Sequence, residues 1–253
     1  MHWERYLLDD KAPVSDYAHL GVIEGTRRTE NFDLATLEED TRIVALSTPL
    51  KKFKKKYVNY ESLVGNQMVE GIYLTDLDEE RLQIFSTLPN LKYLHISSGK
   101  MGNIPNLSCL HSLEVLILAN LPQVKNLNFL IGLQNLQTLY IFGMNHLYDL
   151  TALATLSNLK ELSLNHGRMS GTGKPVKSFE PVGKLVKLEY LSLILVLENK
   201  SRDITPILKL KNIRKLHLLP RYTKGMAETI TTSFPNLLNK QDFGGGQKND
   251  DVH

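Results

Sequence analysis

The sequence predicts an α/β solenoid: a curved horseshoe with a parallel β-sheet on its concave face and short 3-10, helical or irregular segments on its convex face. Two patterns carry this expectation. The first is L-x-x-L-x-L, which reads Leu91-Leu94-Ile96, Leu113-Leu116-Leu118, Leu136-Leu139-Ile141, Leu159-Leu162-Leu164, Leu188-Leu191-Leu193 and Ile213-Leu216-Leu218. Its first positions are 22, 23, 23, 29 and 25 residues apart. Periods of 20–29 residues carrying this pattern mark stacked repeats rather than a closed globule. The second is an apolar residue every three positions upstream of each unit, best seen in Leu147, Leu150, Leu153, Leu156 and Leu159.

The two spacings assign the elements of a unit. Alternation, as in Leu94-His95-Ile96, is the period of a half-buried strand. A spacing of three places residues on one face of a 3-10 turn or a single helical turn. Each unit is then a short strand, a turn and a compact return segment. One unit cannot bury its own leucines, so stability comes from stacking on its neighbours.

Taken in order, residues 1–33 read as an N-terminal cap, with Trp3, Tyr6, Leu7 and Leu8 as its packing residues. About eight repeats follow over residues 34–220. The ladder reaches backward through Val69-Ile72-Leu74 to Ile43-Leu46-Thr48, where its last position turns polar. The 29-residue unit carries an insertion, Arg168 to Lys177; its Gly171-Thr172-Gly173-Lys174 lacks the spacing of a phosphate-binding loop. Residues 221–243 form a C-terminal cap with a half repeat, in which Phe234-Pro235-Asn236-Leu237 copies Leu88-Pro89-Asn90-Leu91. Met226, Ile230 and Phe234 predict a short amphipathic helix there. Residues 244–253 read as a flexible tail.

These residues resemble the leucine-rich-repeat family, and the period of about 22 residues resembles its short-repeat class, found in bacterial internalins and in a regulatory subunit of protein phosphatase 1. The resemblance covers residues 34–220 and implies the horseshoe fold. The family's asparagine, three residues after the last leucine, is absent: Leu77, Gly99, Leu121, Met144, Gly167, Val196 and Arg221 stand there.

Composition narrows the function. The net charge is +3 over 253 residues, too small for a generally basic nucleic-acid binder. The single Cys109 excludes an intramolecular disulfide and points to a reducing, cytoplasmic setting. The sequence shows no membrane span and no signal peptide at its polar start. No spacing of Cys, His and carboxylates suggests catalysis or a metal, and no cofactor is expected.

Function is then expected on the concave face, where residues between the ladder leucines point outward. Its candidate contact residues are Tyr73, Tyr93, His95, Ile117, Tyr140, Phe142, Tyr190 and His217. Tyrosines around an apolar middle, here with Val115, Ala119 and Ile194, are the composition of protein interfaces. Glu161 and Lys215 are the ionic residues of this face, which speaks against a nucleic-acid groove. Lys51, Lys52, Lys54, Lys55 and Lys56 form a candidate anion-binding run, with a solvated loop as the plainer reading. The expectation is a non-enzymatic, cytoplasmic module that binds a protein partner through its concave sheet. An immunity or inhibitor protein, and the recognition domain of a larger effector or regulatory enzyme, are the alternatives. Self-association through the apolar middle stays open.

Overall fold

The computed structural model describes residues 3, 5–8, 20–47, 55–97, 103–167 and 173–243. Lys51, Lys52, Lys54, the first five residues of the insertion and the tail 244–253 lie outside them. Among the described residues the chain forms one sheet of nine parallel strands, laid side by side in sequence order. They are β1 (Arg27–Arg28), β2 (Ile43–Leu46), β3 (Gly71–Leu74), β4 (Tyr93–Ser97), β5 (Val115–Ala119), β6 (Thr138–Phe142), β7 (Glu161–Asn165), β8 (Tyr190–Ile194) and β9 (Lys215–Leu218). The sheet is the curled sheet of a solenoid, its ladder leucines turned inward and the residues between them turned to the concave face.

The register repeats without a slip from β3 to β9. Ile72, Leu94, Leu116, Leu139, Leu162, Leu191 and Leu216 lie in one line across it. All are buried, and with the leucines of the return segments they make one continuous core. Removing one such side chain costs about 2–5 kcal/mol, because the repeats on either side cannot collapse into the gap.

Two features of the first units differ from the pattern reading. Val44 pairs with Ile72 and Leu46 with Leu74, so the ladder of that unit is Thr41-Val44-Leu46 rather than Ile43-Leu46-Thr48. Thr41 is buried in the place of a leucine, and this polar substitution hid the register. Ile43 therefore faces the concave side. The sheet also begins one strand earlier than the eight units, because Arg27–Arg28 pairs with β2.

The return segments are mostly single 3-10 turns, among them Tyr60–Leu63, Leu107–Cys109, Asn128–Leu130, Thr151–Thr155 and Val182–Lys184. Several are entered through a side chain that accepts from the amide two residues on: Asn106 from Ser108, Asn126 from Asn128, Asp149 from Thr151 and Asp203 from Thr205. That local bond favours a turn over a longer helix. The exception is α1 (Glu79–Phe85), capped by Asp78 and acidic in its first turn, both of which favour helix. A shorter helix, α2 (Thr205–Leu208), starts with Pro206 early in its first turn.

A second ladder ties the repeats together at the strand entries. Asn90, Asn135, Asn158 and Asn212, each just before a ladder residue, donate their amides to Gln67, His111, Gln134 and Val186 carbonyls at 2.7–2.8 Å. Each bond crosses from one unit to the unit before it.

The C-terminal end closes with α3 (Pro220–Thr223) and α4 (Ala227–Ser233), the second being the amphipathic helix that Met226, Ile230 and Phe234 predict. An edge strand leaves a row of unpaired peptide groups. At β9 the Asn239 side chain meets them: its Oδ1 accepts from Leu216 N at 3.2 Å and its Nδ2 donates to Leu216 O at 2.8 Å. The amide stands in for the next strand.

Candidate protein-binding site on the concave face

The parallel register places the outward residues in columns, with neighbouring strands about 4.8 Å apart. One column runs Tyr73, His95, Ile117, Tyr140, Ser163, Ser192 and His217. The column on its N-terminal side runs Gly71, Tyr93, Val115, Thr138, Glu161, Tyr190 and Lys215. Phe142 lies on the other side, beside Ala119 and Asn165. The strand pairing therefore brings the candidate residues onto one surface.

That surface is not open. Tyr93, His95, Ile117, Tyr140 and Tyr190 are all buried, which corrects the expectation of an exposed aromatic strip. Tyr73, Phe142 and His217 remain partly exposed around it. The physical reason is the beginning of the chain. Trp3, Leu7 and Leu8 pack in one apolar cluster with Ile43, Tyr93, Val115, Ile117, Tyr140 and Tyr190, with Tyr6 and Phe142 at its margin. Trp3 stacks on Tyr93, ring centres 5.1 Å apart and planes 24° from parallel, and Tyr6 lies against the same ring at 5.9 Å. An apolar strip this large is not left in water when the same chain carries an apolar segment able to cover it.

Glu161 holds this segment by its backbone. Its carboxylate, fully buried, accepts from Leu7 N at 2.9 Å and Leu8 N at 2.7 Å, and from the Thr138 hydroxyl at 2.5 Å. A buried carboxylate is tolerated only when donors converge on it, and charge-assisted bonds of this kind are the stronger ones. At the margin Arg5 reaches Glu189 at 3.7 Å, a carboxylate that Arg214 also approaches at 3.5 Å. The repeat pattern predicts an end cap for Trp3, Tyr6, Leu7 and Leu8; in the structure they lie along the middle of the sheet.

The histidines follow their burial. His95 sits between Tyr73, whose ring centre is 4.4 Å away, and the Tyr93 hydroxyl, 3.3 Å from Nδ1. Desolvation lowers its pKa to about 3, so it is neutral near pH 7. His217, 3.3 Å from Ser192 Oγ, is also lowered by burial, with Asp242 opposing. Burial pushes the Tyr93 phenol well above its usual range.

The lysine run is represented by Lys55 and Lys56, both exposed. Lys55 lies 5.5 Å from the centre of the Phe32 ring. Both line a hollow of about 500 Å³ together with Asp76, Asp78 and Glu80, whose carboxylates compete for any cation presented there. Among the described residues no three His, Cys, Asp or Glu side chains come together as a metal site. No helix among them is long and apolar enough to cross a membrane.

No protein-family model and no curated protein sequence matches the chain. Solved structures do. An internalin (inlF) from Listeria monocytogenes is 17% identical, with a TM-score of 0.46, over 72% of this chain and 49% of its own. Internalin C2 from the same organism is 25% identical, with a TM-score of 0.45, over 72% of this chain and 74% of its own. TLR13, solved in complex with ssRNA13, is 24% identical, with a TM-score of 0.50, over 81% of this chain and 29% of its own. The chain thus spans about half the length of the first internalin and under a third of TLR13. The likeness to TLR13 is one of fold. By its recurring leucines, its single in-register parallel sheet and that shared architecture, the chain is a leucine-rich-repeat solenoid.

Proposed function

We propose that this chain is a non-enzymatic interaction module that binds a protein partner on its concave sheet. The observation that carries the reading is that this face already holds polypeptide: Trp3, Tyr6, Leu7 and Leu8 lie on its aromatic strip, with the Leu7 and Leu8 amides on Glu161. Tyrosine-rich apolar surfaces suit such contacts because they bury much area for little lost side-chain entropy. A sheet fixed by its leucine core adds little ordering cost on docking. Phosphate chains are poorly served by the same strip, whose central ionic group is a carboxylate. A cytoplasmic setting fits the free, half-buried Cys109, whose thiol pKa is raised by burial.

Affinity capture from native lysate tests the reading, with the wild-type chain beside a Tyr73→Glu/Phe142→Glu variant. Both positions are only partly buried, so this variant is expected to keep its fold. A partner retained by wild type and lost by a cooperatively melting variant supports the concave face. Equal capture by both places function elsewhere on the molecule.

A further inference from the structure

We infer that the strip between β4 and β8 is a peptide-binding site which Trp3, Tyr6, Leu7 and Leu8 fill from within the chain, and that its external ligand is a peptide segment of the same chemistry. That chemistry is an aromatic side chain followed, four and five residues later, by two apolar residues with free backbone amides. The inference rests on the reading of the concave face as the partner surface and names what the partner presents there.

The internal occupant defines the recognition elements. Tyr93 offers a flat ring for stacking, and Trp3 uses it. Val115, Ile117 and Tyr140 belong to the same apolar cluster as the leucine pair. Glu161 offers two acceptor oxygens at the spacing of successive amides, 2.9 and 2.7 Å from Leu7 N and Leu8 N. Backbone amides are common to every peptide, so Glu161 reads the shape of a turn while the strip reads apolar side chains. Nothing in this arrangement requires the peptide to be covalently joined to the sheet.

The occupant is also an imperfect fit. Trp3 is 3% exposed, yet its indole Nε1 has no hydrogen-bond partner among the described residues. A buried donor without an acceptor weakens the complex that contains it. A ligand with phenylalanine in that place would stack on Tyr93 without this defect. An internal segment that binds well but not optimally acts as a competitor, lowering apparent affinity by the fraction of time the site is filled. The face is thereby kept from exposing a large apolar patch until a better ligand arrives.

The test uses the 253-residue chain and a fluorescein-labelled peptide with the sequence of residues 1–12, read by anisotropy. A Trp3→Ala chain, whose own segment is weakened, is expected to bind the peptide on the order of tenfold more tightly than wild type. A peptide N-methylated at its Leu7 and Leu8 amides is expected to lose at least about tenfold, since both donors to Glu161 are gone. A Leu8→Asp chain replaces Trp3→Ala should the latter fail to melt cooperatively. Equal binding of the native and N-methylated peptides by the folded variant would overturn the inference, and so would no binding of either. Peptide binding without any captured protein upholds the site while defeating the partner reading; a captured partner without peptide binding does the reverse.

Discussion

Glu161 shows how one residue changes the meaning of a surface. In the sequence it is one of two ionic residues, with Lys215, on the concave face. In the structure its carboxylate is fully buried and turned to the amides of Leu7 and Leu8, so it fastens a distant segment. The buried histidines carry a consequence at the same scale. His95 and His166 are neutral because burial lowers their pKa to about 3 and about 4. Gly173 lies against the His166 ring, with which any Cβ there would collide. Both folded values lie below the unfolded value near 6.5, so the unfolded chain takes up protons first as pH falls. Stability is therefore complete above about pH 6.5 and is lost as pH drops toward the folded values. Between pH 7 and pH 5 each histidine is expected to remove about 2 kcal/mol. Urea unfolding at the two pH values, wild type against His95→Gln, checks this: the variant should lose about 2 kcal/mol less. An identical loss in both would contradict it.

At the scale of elements, the strands were legible because leucine at alternate positions leaves little choice of register. The first unit was not, since Thr41 occupies a leucine position and Ile43 imitates a ladder residue while facing the other way. The return segments were legible as turns of period three; the asparagines recur visibly before the first ladder residue, but their bonds were not legible, because each runs to a carbonyl of the preceding unit. The same holds for Asn239, whose amide completes the edge of β9. Asn239→Ala should destabilise the chain by about 1–3 kcal/mol, the cost of leaving a buried peptide pair unmet. Hydrogen exchange should locate the effect at the Leu216 amide, with little change in β4. Unchanged protection at Leu216 would show that the edge is held by other means.

For the whole molecule, a solenoid sums contacts between neighbouring repeats, and Trp3, Tyr6, Leu7 and Leu8 add something different. They connect β4, β5, β6, β7 and β8 across the concave face, bridging units that do not touch one another. The candidate site was half legible on these grounds. Tyr93, Ile117, Tyr140 and Tyr190 do form one strip, as alternation requires, while their cover comes from residues more than eighty positions away. Two signals in the sequence bear on it together: an apolar strip with no assigned cover, and an apolar Trp3, Tyr6, Leu7 and Leu8 cluster with no repeat to join. Neither identifies the other without the curvature that brings them into contact. Trp3 is the only tryptophan of the chain, which makes the arrangement directly readable. Acrylamide quenching of its fluorescence in the native 253-residue chain tests whether the concave face is covered. A blue-shifted emission, shielded from quencher and exposed on Glu161→Ala substitution with the melting transition still cooperative, is the expected result. Emission and quenching like those of free tryptophan in the native protein would contradict it, for the concave face would then stand open.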